Sequence, residues 1–219
     1  MLVVPVGSLE QHGPHLPLDT DTRIAVAVAE RACAGRPGVA LAPPVGFGAS
    51  GEHAGFPGTL SIGTAALTLL LVELGRHASL HWPAMLLVNG HGGNTAAIGD
   101  AVKLLRAEGR KCAVWHAGIA GSDAHAGRTE TSLMLALAPG DVRLAAAEAG
   151  ETRPLAEIMP ALRAGGVRAV SANGVLGDPS GACAREGELL LGRLVASLEE
   201  ILSTLLADGR NAEGAARDR

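Results

Sequence analysis

The sequence predicts an α/β fold, a three-layer αβα sandwich around a mostly parallel central sheet. Three observations predict it. Short apolar runs of strand length alternate with segments whose apolar residues recur at helical spacing. The composition, 47% hydrophobic and 18% charged over 219 residues, supplies enough apolar side chain to cover a sheet on both faces. Polar residues of ligand type gather just after the strand-like runs, and sheets of this kind bind ligands outside the carboxyl ends of their strands.

The elements follow in order. Leu2 to Val6 reads as a short buried strand, and a polar loop rich in Gly, Pro and His runs from Gly7 to about Thr20. Residues 22–34 have a helical pattern, and Val39 to Ala42 reads as a short strand. A Gly- and Pro-rich loop spans 43–63, a length that compact domains rarely carry without a function. Residues 64–80 suit a Leu-rich helix, 84–89 a strand, 94–108 a helix and 111–116 a strand. Residues 130–138 look helical and stop at Pro139 and Gly140. Leu155 to Arg163 reads as a helix and Val167 to Val170 as a further short strand. Asp178 and Pro179 resemble an N-cap followed by Pro at the first helical position. Beyond them, Leu191, Leu194, Leu198, Leu202 and Leu205 put one apolar face on a long C-terminal helix. Residues 1–207 are expected to form a single domain, and 208–219, which lack an apolar pattern, a disordered tail.

Charge and composition exclude several functions. Lys and Arg number 18 and Asp and Glu 22, for a net charge of −4, and no basic block occurs. Nucleic acid and anionic membranes are therefore not expected partners. Aromatic residues make up 2% and Tyr is absent, which argues against a base-stacking platform. No apolar run approaches the roughly 20 residues of a membrane span. The first residues lack the basic start of a signal peptide, and Cys33, Cys112 and Cys183 lie far apart, so a cytoplasmic protein with reduced thiols is expected.

The chemistry-bearing residues sit in three loops. After the first strand come Glu10, His12, His15, Asp19 and Asp21; after the third, His91 within NGHGGN; after the fourth, Asp123, His125 and Glu130. In an extended segment Glu10 and His12 point the same way. Mixed carboxylate and imidazole donors suit Zn, Fe or Mn rather than thiolate-loving ions. A carboxylate such as Asp21 can bridge two metals, and paired metals can hold a hydroxide and polarise a carbonyl. The plainer reading of a His/Asp loop is turn and cap chemistry, and it is the agreement of three strand ends that favours a site. His15, Asp19 and Asp123 read as residues that orient ligands or stabilise their loops. Ser50, Glu52, His53 and Phe56, in the long loop, are candidates for substrate contact.

At these residues the sequence resembles a known family. PVGSLEQHGPHLPLDTD, GFPGTLS, NGHGGN and HAGRTETSLML, in this order, resemble the creatininase family of dinuclear metal amidohydrolases. GASGEHAGFPGTLSIG and LRAGGVRAVSANGVLGDPSGA resemble the branch of that family associated with mycofactocin, which acts as a peptidase on a modified precursor peptide. The resemblance implies a creatininase-like fold and two divalent metals per subunit, expected as Fe(2+) and Zn(2+), with Mn(2+) suited to the same donors. It implies Glu10, His12, Asp21 and His91 as metal ligands, with Asp21 bridging. Where creatininase has a ligand Glu two residues after that histidine, this chain has Gly93, and Glu130 is the implied replacement. His125 matches a catalytic or substrate-binding histidine. A carboxylate, Glu130 or an Asp that orients the ligands, is expected to move the proton to the leaving amine. The implied product is a C-terminal dipeptide derived from Val and Tyr, and the implied assembly a homo-oligomer. A small cyclic amide or formamide as substrate, and a non-catalytic metal-binding role, are the alternative readings.

Overall fold

The computed structural model describes residues 1–217, with side chains as far as Ala207. Its sheet has four parallel strands in the order β2-β1-β3-β4: β1 Leu2–Val6, β2 Ala40–Leu41, β3 Met85–Asn89 and β4 Cys112–His116. Leu2 lies opposite Met85, which lies opposite Cys112. The three longer strands thus end together at Val6, Asn89 and His116.

Both faces of the sheet are covered. Val3, Leu86, Val88 and Trp115 pack on one side against α1 Thr20–Cys33, α4 Arg128–Leu137 and α6 Ala184–Arg217. Val4, Val6, Met85 and Leu87 pack on the other against α2 Gly63–Ala78 and α3 Thr95–Ala107. Neighbouring strand residues alternate between the two cores because side chains alternate across a pleat. Their apolar character at every position, rather than at every second one, reflects burial on both faces. These are the three layers expected. No described helix is long and apolar enough to cross a membrane.

Three segments differ from expectation. Val167 to Val170 is no strand: Val167–Ala169 is a 3-10 turn. It follows α5 Leu155–Gly165 through Gly166, and Val167 is buried with Ile158 and Leu176 instead of joining the sheet. Helix α6 starts at Ala184 rather than after Asp178, whose Oδ1 accepts the Ser180 N–H at 2.9 Å in a tight turn. At its other end α6 continues to Arg217, into the segment expected as a tail; the rest of that expectation lies outside the described residues.

Candidate active site

The loops leaving the ends of β1, β3 and β4 converge on one cavity of about 900 Å³. Glu10, Asp21, Glu52, His53, His91, His125 and Glu130 line it. Ile24, Leu133, Leu155, Met159 and Leu162 give the rest of it an aliphatic wall.

Asp21 occupies the centre. Its Oδ1 lies 3.1 Å from His12 Nε2. Its Oδ2 lies 3.1 Å from His91 Nδ1 and accepts a 2.8 Å bond from the Ser8 hydroxyl. It comes from the first turn of α1, at the point where the loop after β1 returns to the sheet. Glu10 lies on the far side of His91, with Oε2 3.1 Å from His91 Nε2. Glu130 enters from α4 and places Oε2 3.8 Å from His12 Nε2. That same oxygen accepts the Ala126 N–H at 2.6 Å. Ala126 has φ +51°, a left-handed conformation costing a non-glycine residue roughly 1–2 kcal/mol, so the backbone between His125 and Glu130 is strained.

Burial and mutual charge set the protonation of the cluster. Burial first, then the Asp21 carboxylate, pushes Glu10 up to about 8, and burial pushes Glu130 up to about 7. Burial opposes charge on Asp21 too, but His12 and His91 hold it well below the usual carboxylate range. Burial also opposes charge on His12, yet Asp21 outweighs it and raises the ring to about 10. His91 is likewise raised against burial by Asp21, Glu52 and Glu10. Burial lowers His53 to about 4 and, with His12 and His53 beside it, takes His125 well below its ordinary value.

The donor set fits divalent metal ions. His12 Nδ1 lies 3.1 Å from the Glu10 backbone oxygen, which can only accept, so Nδ1 carries a proton and Nε2, facing Asp21 and Glu130, is the nitrogen that gives up its proton to ligate a metal. A ring held in this way by a backbone carbonyl is the usual support of a metal-ligating histidine. Both Glu10 carboxylate oxygens are buried without a hydrogen-bond partner, a costly arrangement that a cation resolves. Glu10, His12 and Asp21 can bring one donor atom each within 4.8 Å of one another, as can His12, His125 and Glu130, and Glu10, His53 and His125.

The other expected residues divide. Ser50 Oγ is 3.4 Å from His91 Nε2, and Glu52 Oε1 is likewise 3.4 Å from it. His15 Nε2 pairs with the Thr131 hydroxyl at 2.8 Å, bracing the first loop against α4. Asp123 accepts the N–H groups of Arg128 and Thr129 and so caps α4, which carries Glu130. Asp19 does not orient a ligand; its carboxylate bonds Arg23 at 2.8 Å, one turn along α1. Phe56 does not line the cavity; it packs with Ile158, Val167 and Leu176 beneath the Arg168 guanidinium, 5.4 Å from its ring centre. Sequence reasoning passed over Ser8, Gln11, Asn89 and Asn94. Asn94 binds the backbone of Gly7 and Ala49, and Asn89 binds the His91 carbonyl, so two side chains tie three loops together. The paired asparagines of NGHGGN were the available signal.

Comparison with known proteins places the chain in a family. The creatininase profile, described as creatinine amidohydrolase, matches residues 1–202. The chain belongs to the creatininase family. A mycofactocin precursor peptide peptidase from Mycolicibacterium smegmatis is 57% identical over 201 residues, spanning 89% of this chain and 81% of that protein. A mutant creatininase of Zn-Zn type superposes with a TM-score of 0.75 at 29% identity, over 92% of this chain and 89% of that one. A creatininase described as the Mn form superposes at 0.71 with 30% identity, over 92% and 89%. The creatininase fold is therefore shared, and the resemblance of the motifs to that family is borne out.

Proposed function

We propose that this creatininase-family protein is a dinuclear-metal peptidase that cleaves an amide bond of a modified mycofactocin precursor peptide. One observation carries the reading: Asp21 turns one oxygen to His12 and the other to His91, with Glu130 beyond the first ring and Glu10 beyond the second. That arrangement supports a reading of two half-sites sharing a carboxylate, reached from the present one by turning His91 so that one nitrogen serves the first ion. Glu10, Asp21 and His91 would hold one ion, and His12, Asp21 and Glu130 the other, with Fe(2+), Zn(2+) or Mn(2+) suited to the donors. Such a pair, when bound, supplies Lewis acidity and a water made acidic enough to attack a carbonyl.

The side chains do the rest. The aliphatic wall holds the apolar part of the substrate and excludes water, which strengthens every charge interaction in the site. We assign Glu130, which approaches the cavity from α4, the second task of carrying the proton to the departing amine. His125 stands within 3.7 Å of Glu10 and faces the same space. The cavity of about 900 Å³ is far larger than a creatinine-sized ring needs, which favours the peptide over a small cyclic amide. We further propose a homo-oligomer, since Leu69, Leu70 and Leu74 of α2 are exposed, and a cytoplasmic location, in keeping with three unpaired cysteines. Light scattering tests the first.

The decisive experiment incubates metal-loaded protein with modified precursor peptide, unmodified peptide and creatinine, and reads product masses. Release of a C-terminal fragment from the modified peptide is expected. Cleavage of neither peptide overturns the reading.

A further inference from the structure

Gln11 is buried between the two imidazoles that face Glu10 from outside the proposed ligand set. His53 Nε2 lies 3.3 Å from Glu10 Oε1, and His125 Nδ1 lies 3.7 Å from the same oxygen. The two rings are 4.5 Å apart. Their far nitrogens both approach the Gln11 amide nitrogen, His53 Nδ1 at 2.8 Å and His125 Nε2 at 3.1 Å.

Backbone groups decide who donates. The Gly13 N–H bonds Gln11 Oε1 at 2.9 Å, and Gln11 Nε2 donates to the Gly174 carbonyl at 3.0 Å. One donor and one acceptor of fixed character thus settle which end of the amide is which. Gly174 must be glycine for this: its φ is +84°, and a Cβ there would stand 2.0 Å from Gln11 Oε1. The Gln11 backbone carbonyl lies 2.8 Å from His125 Nε2 and can only accept, so His125 Nε2 carries a proton. A protonated Nε2 cannot accept from the Gln11 amide. The second Gln11 N–H therefore goes to His53 Nδ1, which must be the bare nitrogen.

We infer that Gln11 is a positioning residue that fixes His53 and His125 in the same Nε2–H tautomer while the two rings turn opposite nitrogens toward Glu10. Resting on the peptidase reading, the inference gives the two histidines opposite work at one spot. His53 presents an N–H beside Glu10, and His125 presents a lone pair. His53 is then the side chain able to donate to an amide oxygen as that oxygen gains charge, which is a larger effect in the transition state than in the ground state. His125, which the family resemblance marks as catalytic or substrate-binding, turns its bare Nδ1 to the same place and can only accept there. Donation from the Gln11 amide to His53 Nδ1 leaves that ring its proton on Nε2, and the Gln11 backbone carbonyl holds the proton of His125 on Nε2 as well.

The test is nitrogen NMR of ring-labelled histidine in the zinc-loaded protein. The expected result is an unprotonated Nδ1 and a protonated Nε2 on both His53 and His125. In Gln11→Glu the carboxylate can only accept, so His53 Nδ1 should become protonated while His125 is unchanged. With the modified peptide, kcat should fall about 100-fold with KM within threefold, the size expected for one transition-state donor. Gln11→Met, which offers neither donor nor acceptor of consequence, should leave His53 a mixture of tautomers. A bare His53 Nε2 in the parent protein, or a His53 spectrum indifferent to both substitutions, overturns the inference. Failure of the peptide assay beside the expected spectra would overturn the peptidase reading and leave the tautomers standing.

Discussion

Glu52 Oε1 lies 2.3 Å from the point a Cβ on Gly93 would occupy. The same point is 2.4 Å from His91 Nε2 and 2.5 Å from the Ala49 carbonyl. Glycine at 93 is therefore a condition of the site and not merely the loss of the glutamate that creatininase has there. The Glu52 side chain could swing away, but the Ala49 backbone and the buried His91 ring cannot. Gly93→Ala should destabilise the protein by about 1–3 kcal/mol through overpacking and displace His91. Thermal unfolding and zinc titration read the two effects. Unchanged zinc affinity would mean that His91 is not a ligand.

Glu130→Gln tests the second half-site. The substitution keeps shape and the Ala126 contact but removes the charge facing His12. Metal analysis should find one ion lost per chain, and peptide cleavage should fall at least 100-fold. A variant that retained both ions and activity would remove Glu130 from the ligand set.

Ser8→Ala tests the support of the shared carboxylate. The Ser8 hydroxyl holds Asp21 Oδ2, the oxygen that also faces His91. Loss of a ligand's outer hydrogen bond should weaken metal binding about 10–100-fold with little change in fold. Competition against a chelator of known affinity measures it. The predicted signature is weaker binding with the circular dichroism spectrum unaltered.

The sheet and the ligand-bearing loops were legible in the sequence because both rest on local pattern. Leu2–Val6 and Met85–Asn89 are apolar at nearly every position, and the polar residues follow them at once. Val167 to Val170 misled because periodicity cannot separate a four-residue strand from a turn whose apolar residues pack under α5. Phe56 misled because its neighbours in the chain line the cavity while its own ring turns into a small core. Gln11 was illegible for another reason. Its partners His53, His125 and Gly174 lie 42, 114 and 163 residues away, and no spacing along the chain encodes such contacts.

The metal-free protein should lose stability between pH 6.5 and 8. Glu10 is raised from 4.5 to about 8 and Glu130 from 4.5 to about 7, so the folded chain keeps protons there that the unfolded chain has released. His12, raised from 6.5 to about 10, acts in the same direction across the whole window, as does His91. Stability falls wherever the folded state binds more protons, by up to about 1.4 kcal/mol per pH unit for each group. His15 and His53 act oppositely, but their window, about 4 to 6.5, is over before this one opens. The lowered amine of Met1 opposes the trend as one group against several. Metal loading should reverse the slope, because the ions bind deprotonated carboxylates and neutral imidazoles and so release protons. Denaturant unfolding at pH 6.5, 7.2 and 8.0, with and without zinc, should give midpoints that fall for the metal-free protein and rise for the loaded one. Parallel slopes in the two series would show that Glu10 and His12 do not meet the metal.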